Sequence, residues 1–158
     1  MIITKTHKDL GIKIPYYLIT DKKQLIFVVA PGQDGVEFNK TSGYFSDFLG
    51  MQTYQCLYGS GILLMQKNDE MGEAKEFKIV ILNPFKQVIV SAGWVMCLVN
   101  TGNSYLVVLK SSVLDGKYKV PKSIIEKRGF SYYVVEKKGE IAFEQNPNYH
   151  VHPQITTE

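Results

Sequence analysis

Hydrophobic residues in this chain come in short runs and in every-second-residue alternations, and both patterns predict strands. Residues 24–30 read QLIFVVA, too short and too β-branched for a helix, and Pro31-Gly32 and Asp34-Gly35 after them are turn signals. A strand over 36–45 and an irregular link over 46–50 follow. Over 52–58 the sequence QTYQCLY alternates. Gln52, Tyr54, Cys56 and Tyr58 fall on one face, Thr53, Gln55 and Leu57 on the other. Gly59-Ser60-Gly61 turns the chain into a strand over 62–67. A polar hairpin loop spans 68–73, and FKIVIL over 77–82 is the next strand, ended by Asn83-Pro84.

Residues 88–102, VIVSAGWVMCLVNTG, are the stretch around which the rest is organised. They read as a buried strand, a turn around Ser91-Ala92-Gly93, a second apolar strand and a closing Asn-Thr-Gly turn. SYLVVLK over 104–110 gives one more strand. A helix is predicted over 121–128, with Pro121 at its first position, Ile124 and Ile125 as its apolar edge and Gly129 as its stop. Strands over 130–135 and 140–144 form a hairpin about Lys137-Lys138-Gly139. Residues 11–19 read as an extended arm, Lys22-Lys23 as a turn, and the tail from Asn146 as irregular. Many short strands with Gly and Pro turns and one short C-terminal helix predict an all-β fold, a closed antiparallel barrel or jelly roll.

Composition changes this picture little. The 158 residues are 45% hydrophobic and 21% charged, which fits one domain with a sizeable core. A 12% share of aromatics supports β-structure. The net charge of +3 is interspersed, and the lysine pairs read as solvated turns, so nucleic acid is not an expected partner. The run 88–99 is broken by Ser91 and Gly93 and is too short to span a bilayer. Lys5, His7, Lys8 and Asp9 interrupt any secretory apolar stretch at the start. With only Cys56 and Cys97 as thiols, the expectation is a reduced, cytoplasmic protein.

Three segments carry a resemblance. YQCLYGSGILLMQ, 54–66, resembles the cupin strand in which an acidic residue precedes Tyr-x-x-Leu-x-Gly-x-Gly. GWVMCLVNTG, 93–102, resembles the second cupin motif. RGFSYYVVEKKGEIAFEQNPNY, 128–149, resembles the carboxyl end of the cupin-type, metal-dependent glucose-6-phosphate isomerases. Together they cover roughly residues 35–149. The resemblance implies a cupin (RmlC-like) double-stranded β-helix and a homodimer. It also implies a metal held by a His-x-His pair, a glutamate and a later histidine. The reaction it implies moves a proton between adjacent carbons of an aldose and a ketose phosphate, with the metal stabilising the enediolate.

Every position the resemblance assigns to the metal departs from that pattern. The glutamate position is Gln52, the late histidine is Met96, and TSGYFSD stands at 41–47 where the His-x-His pair belongs. The chain's only histidines are His7, His150 and His152. Gln52 cannot ionise, so it neither abstracts a proton nor binds a hard cation strongly. A Met96 thioether suits soft Cu(I). Met96 shares a strand face with Trp94 and Leu98 and reads as an apolar plug. Gln52 needs either a bound sugar hydroxyl or a protein partner such as Tyr54 or backbone.

Thr41 and Gly43 match the family's Thr-x-Gly segment. They read either as backbone that could cradle an oxyanion or as an ordinary strand start. Gly59-Ser60-Gly61 has no following helix and is not a phosphate loop. Cys56 and Cys97 read as packing thiols. His150-Val151-His152 reads as a mobile, solvent-facing pair rather than a metal site, with a tail folded over the barrel mouth as the alternative.

The expectation is a single cupin domain over 1–158. It divides into an arm and strand (1–30), barrel (35–120), helix and hairpin (121–149) and tail (150–158). It would bind a sugar or sugar phosphate through Thr41, Gly43, Gln52, Tyr54, Trp94 and Met96, with no metal, no other cofactor, no catalytic residue and no membrane partner. Two rivals stand beside it. One is an isomerase or epimerase using Tyr54 or a tail histidine for proton transfer. The other is a filled barrel that dimerises and presents a protein-binding surface.

Overall fold

The computed structural model of the chain describes residues 2–5, 15–21, 24–43, 45–46, 50–111 and 118–158. His7, Lys22, Lys23, Tyr44, Asp47, Phe48 and Leu49 lie outside them, and with them residues 11–14 of the expected arm, one residue of the strand 36–45 and most of the link 46–50. The elements are β1 (Ile2–Lys5), β2 (Tyr16–Asp21), β3 (Gln24–Val29), β4 (Gln33–Asp34), β5 (Glu37–Phe38) and β6 (Phe45–Ser46). Then come β7 (Gln52–Tyr58), β8 (Gly61–Asn68), β9 (Ala74–Leu82), β10 (Gln87–Val90), β11 (Val95–Asn100) and β12 (Leu106–Ser111). The C-terminal part holds β13 (Tyr118–Lys119), α1 (Lys122–Glu126), β14 (Tyr132–Lys137), β15 (Glu140–Gln145) and β16 (Ile155–Thr157).

Two sheets face one another as a jelly roll. One has the order β1-β2-β3-β12-β7-β10, the other β11-β8-β9-β16. Strands β3, β7 and β12 alternate between buried and half-exposed residues, so the first sheet has one dry face. Its Leu25, Phe27, Tyr54, Cys56 and Val108 meet Leu63, Met65, Val80, Met96 and Leu98 of the second sheet in one core. All six residues of β11 and the first six of β8 are buried. The second sheet therefore needs a cover on its outer face as well. Ile124 of α1, Phe130 and Val134 supply it, packing on Ile62, Leu64, Phe77 and Cys97.

Buried polar side chains fasten that cover. Gln66 Oε1 accepts from the backbone N–H (2.8 Å) and hydroxyl (2.9 Å) of Ser131, and Gln66 Nε2 donates to Asn68 Oδ1 and Tyr149 Oη. Asn146 Nδ2 donates to the carbonyls of Lys127 and Phe130. Asn100 ties the sheets directly, donating to the carbonyls of Val29 (2.9 Å) and Ser104 (2.8 Å). The Gly59-Ser60-Gly61 turn is sterically required. A Cβ at Gly59 (φ +82°) would lie 2.3 Å from the Tyr105 carbonyl oxygen, and one at Gly61 2.4 Å from that of Val99.

Several expectations need correction. Residues 16–19 of the expected arm are strand, because Tyr16 is buried and β2 pairs with β3 along its whole length. The strand over 36–45 is interrupted: Glu37–Phe38 pairs with β4, Lys40 bridges Val99 and Phe45 begins β6, while Asn39 turns its amide back to the carbonyls of Ala30 and Pro31. Tyr58 does not share the buried face of β7. A bulge opposite Val107 and Val108 breaks the alternation and leaves both Leu57 and Tyr58 exposed. Pro121 caps α1 from outside, and Arg128, not Gly129 alone, takes the left-handed turn (φ 57°) that ends it.

The tail is not irregular throughout. Ile155–Thr157 pairs in parallel with Phe77–Ile79 of β9, at the edge of the second sheet. Glu73 clamps the approach to this strand. Its carboxylate accepts from Lys127 Nζ (2.7 Å) and from the backbone N–H groups of His150 (3.0 Å) and Val151 (3.2 Å). The Lys127 bond above all holds the carboxyl well below the usual range, at about 2. A carboxyl lowered on folding contributes stability that is fully present above the ordinary value of 4.5 and is lost as pH falls toward about 2. Glu73→Gln should lower the melting midpoint by several degrees at neutral pH and flatten the acid limb across that window. An unchanged acid limb in a pH series of melts would refute the clamp.

Candidate functional site

The register of the first sheet assembles a polar group inside the sandwich. Tyr54 of β7 pairs with Lys110 of β12 and with Val88 of β10, and Gln52 pairs with Val90. Residues two apart on one strand share a face, so Gln52 stands diagonally from Lys110 across the strand pair. Tyr54, Cys56 and Lys110 have no solvent exposure, and Gln52 has 4%. From the second sheet Met96 and, just before β11, Trp94 join the same core. Lys67 and Lys78 reach the Trp94 ring, with ammonium groups 4.5 and 5.6 Å from its centre.

Two polar groups mark this interior chemically. Gln52 Nε2 finds no hydrogen-bond partner among the described residues, although burying an amide unpaired costs on the order of 1–3 kcal/mol. Neither Tyr54 nor backbone satisfies it. Lys110 Nζ lies 5.4 Å from the centre of the Tyr54 ring, and burial lowers its amine from the usual 10.5 to about 7. Sequence reasoning missed Lys110, although Leu106, Val108 and Lys110 alternate onto one face of SYLVVLK. Burial likewise pushes both thiols up, Cys97 to about 11, which suits packing rather than nucleophilic roles.

The other expected residues lie elsewhere. Thr41 is bound into the flank of β11: its backbone N–H donates to the Leu98 carbonyl and its hydroxyl accepts from the Leu98 N–H. A Cβ on Gly43 would come 2.7 Å from the Phe130 ring. Both line a pocket of about 230 Å³ with Lys40, Leu64, Cys97 and Arg128, on the outer, C-terminal side of the second sheet. The structure thus brings Gln52, Tyr54, Trp94 and Met96 together and places Thr41 and Gly43 against the C-terminal layer. His150 Nδ1 contacts Glu73 at 3.2 Å, and His152 Nε2 meets the Asn146 carbonyl at 2.9 Å beside the Tyr132 ring. His150 is exposed as expected, but His152 is half-buried, because the pairing of β16 draws the tail onto this layer. Neither histidine faces the sandwich interior.

As donors, the Gln52 amide and the Met96 thioether do not fit a hard divalent cation. Among the described residues no three His, Cys, Asp or Glu side chains form a metal-holding group.

The lowered Lys110 amine has a thermodynamic signature. Between about pH 7 and 10.5 the unfolded chain binds a proton that the folded chain does not, so stability rises with pH across that window. Lys110→Met should flatten the rise of stability with pH between about pH 7 and 10.5. An unchanged slope across that window in denaturant melts would contradict the buried-amine geometry.

Residues 19–152 match the family model of glucose-6-phosphate isomerase (GPI). Glucose-6-phosphate isomerase of Thermococcus litoralis is 31% identical over 123 residues, covering 77% of this chain and 61% of that one. The Pyrococcus abyssi enzyme is 32% identical over the same shares. This chain therefore spans about three-fifths of the length of the curated relatives it matches. The Drosophila melanogaster CENP-C cupin domain is a looser likeness, with a TM-score of 0.45 at 11% identity over 61% of this chain and 65% of that one. No helix among the described residues is long and apolar enough to cross a membrane. With the family match running through both facing sheets and the C-terminal layer, the chain belongs to the cupin-type glucose-6-phosphate isomerase family.

Proposed function

We propose that this chain binds a sugar or sugar phosphate inside its barrel and does not carry out the family's metal-dependent isomerisation. The observation that carries the reading is Gln52. It stands where the resemblance would put the family's carboxylate, and it is 4% exposed, with an amide N–H group that meets no acceptor among the described residues. A sugar hydroxyl is the acceptor such a group calls for. The family's reaction needs a base and an electrophile at the enediolate oxygens, and an amide with a thioether supplies neither. Loss of the metal site, the small polar ligand and a homodimer of one-domain chains are all parts of this proposal. So is the contribution of Thr41 and Gly43, which would reach a ligand only from the β11 flank.

One rival has a specific observation behind it. Tyr54, Cys56, Trp94 and Met96 pack in a single core, as a barrel filled by its own side chains and serving a protein partner would require. An isomerase working through a tail histidine has less support, since His150 and His152 lie against the C-terminal layer.

Thermal melts against glucose 6-phosphate and fructose 6-phosphate, with and without manganese, nickel, zinc or iron, separate these readings. At a hundred times its dissociation constant a ligand stabilises by about 2.7 kcal/mol, a shift of a few degrees. The proposal expects that shift with a sugar phosphate, none from metals, and its loss in Gln52→Leu. A metal-dependent shift accompanied by isomerase turnover would overturn it. Silence across the panel would favour the filled barrel.

A further inference from the structure

An antiparallel sheet that borders solvent carries polar residues on its outer face. The six-stranded sheet departs from that rule. Its register aligns the outward positions into rows that cross the strands. Tyr17, Val28, Val107 and Tyr58 form one row, and Ile19, Ile26, Leu109 and Gln55 form the next. Thr53 and Ile89 carry the face to the edge strand β10. No outward position of β3, β7, β10 or β12 holds a charged residue. No core cluster among the described residues takes in these side chains, whereas the outer face of the other sheet has the C-terminal layer on it. Phe85 stands at one end of the face, in the turn from β9 to β10. The Lys86 N–H closes this turn on the Asn83 carbonyl at 2.9 Å, and the Phe85 N–H donates to the carbonyl of Cys56, next to Leu57. Phe85 takes φ 74°, a left-handed conformation that such a turn ordinarily gives to glycine. A bulky aromatic held there and 82% exposed costs backbone strain and gains little packing within its own chain.

We propose that this face pairs two copies of the chain, sheet against sheet about a twofold axis, with the Phe85 ring of each copy seated on the sheet of the other. This names the surface of the homodimer in the reading above and rests on that part of it. The area fits such a contact. Leu57, Tyr58, Phe85, Ile89 and Tyr105 are each 40–82% exposed, and Tyr105 precedes Val107 by two residues, on the same outward parity. At roughly 200 Å² for a large side chain they leave about 600 Å² uncovered, to which the half-buried rows add. That reaches the upper end of what a monomer leaves open, about 300–600 Å². It approaches the ~800 Å² that each partner of a stable complex covers. Charge selects the occupant. A twofold contact lays one patch on its own copy, so any charge near the axis meets its like, and these outward positions have none. An acidic or basic partner finds nothing here to pair with. Two such sheets pack about 10 Å apart with their side chains interdigitated, and burial of the aliphatic rows drives the contact.

Sedimentation velocity of the full chain over a concentration series, with thermal melts of the same samples, tests the proposal. The parent should sediment as a dimer, at twice 17.9 kDa, with a melting midpoint that rises with protein concentration. Ile89→Lys and Tyr58→Lys put a charge on exposed positions of the face. Each should weaken pairing by more than about a hundredfold and keep a cooperative melt. Phe85→Gly should act in two directions. It should weaken pairing by about tenfold or more, and, at dilutions where the chain is monomeric, raise the midpoint by relieving the backbone. Met71→Lys, an exposed change in the loop beside α1, should leave the dimer intact. A dimer untouched by both lysine changes and by Phe85→Gly would overturn this face and leave the homodimer standing on another surface. A parent that is monomeric at every concentration would overturn the face and the homodimer together. A Phe85→Gly midpoint that falls in the monomer would show that the ring serves its own fold, and would overturn its place in the contact.

Discussion

The fold depends on a sheet that is apolar on both faces. Every residue of Val95–Asn100 and the first six of Gly61–Asn68 are buried, so β8 and β11 cannot border solvent on either side. One face is matched by the six-stranded sheet, whose own alternation leaves its far side half-exposed. The other needs the C-terminal layer, and the chain beyond Val120 exists in this form because Ile62, Leu64, Phe77 and Cys97 require cover. Each such side chain contributes on the order of 1.5–3 kcal/mol when buried. The polar fastenings at Gln66, Ser131 and Asn146 orient the layer more than they drive its docking.

That division assigns the two sides of the central sheet different chemistry. Outside, the polar groups are satisfied in pairs and networks, and they hold the tail, the helix end and the hairpin in place. Inside, Gln52 keeps an amide without an acceptor among the described residues, and Lys110 keeps an amine brought toward neutrality by burial. A sandwich built only for stability would place hydrocarbon at Gln52. A group that costs stability where it stands is where function is sought, and Lys110 stands diagonally from it across one strand pair. An amide and an amine are hydrogen-bonding groups, not donors for a hard cation.

Much of this was legible in the sequence, for reasons that are local. Alternation in QTYQCLY and the unbroken run in VMCLVN specify strands, and the turns at Gly59-Ser60-Gly61 and Lys138-Gly139 punctuate them. What escaped was non-local. Pairing of Ile155–Thr157 with β9 depends on an edge that no tail residue announces, and the bulge that exposes Tyr58 depends on the register of β12. Within the site, the place of Gln52, Tyr54 and Met96 on buried faces followed from their strands. Lys110 was visible as the last interior position of SYLVVLK, but a terminal lysine reads as a solvated strand end until the sheet around it is known. Thr41 and Gly43 carried a family likeness, while their neighbours in space, Leu98 and Phe130, come from later in the chain.

The central claim is that the interior beside Gln52 takes a small polar ligand without a metal. A crystal structure of the chain grown with glucose 6-phosphate and manganese, with anomalous data collected for the metal, tests it most directly. The account predicts sugar density between Gln52 and Lys110 and no anomalous peak near Gln52 or Met96. An anomalous peak at that position, or an interior closed by side chains with no sugar in it, would contradict the account.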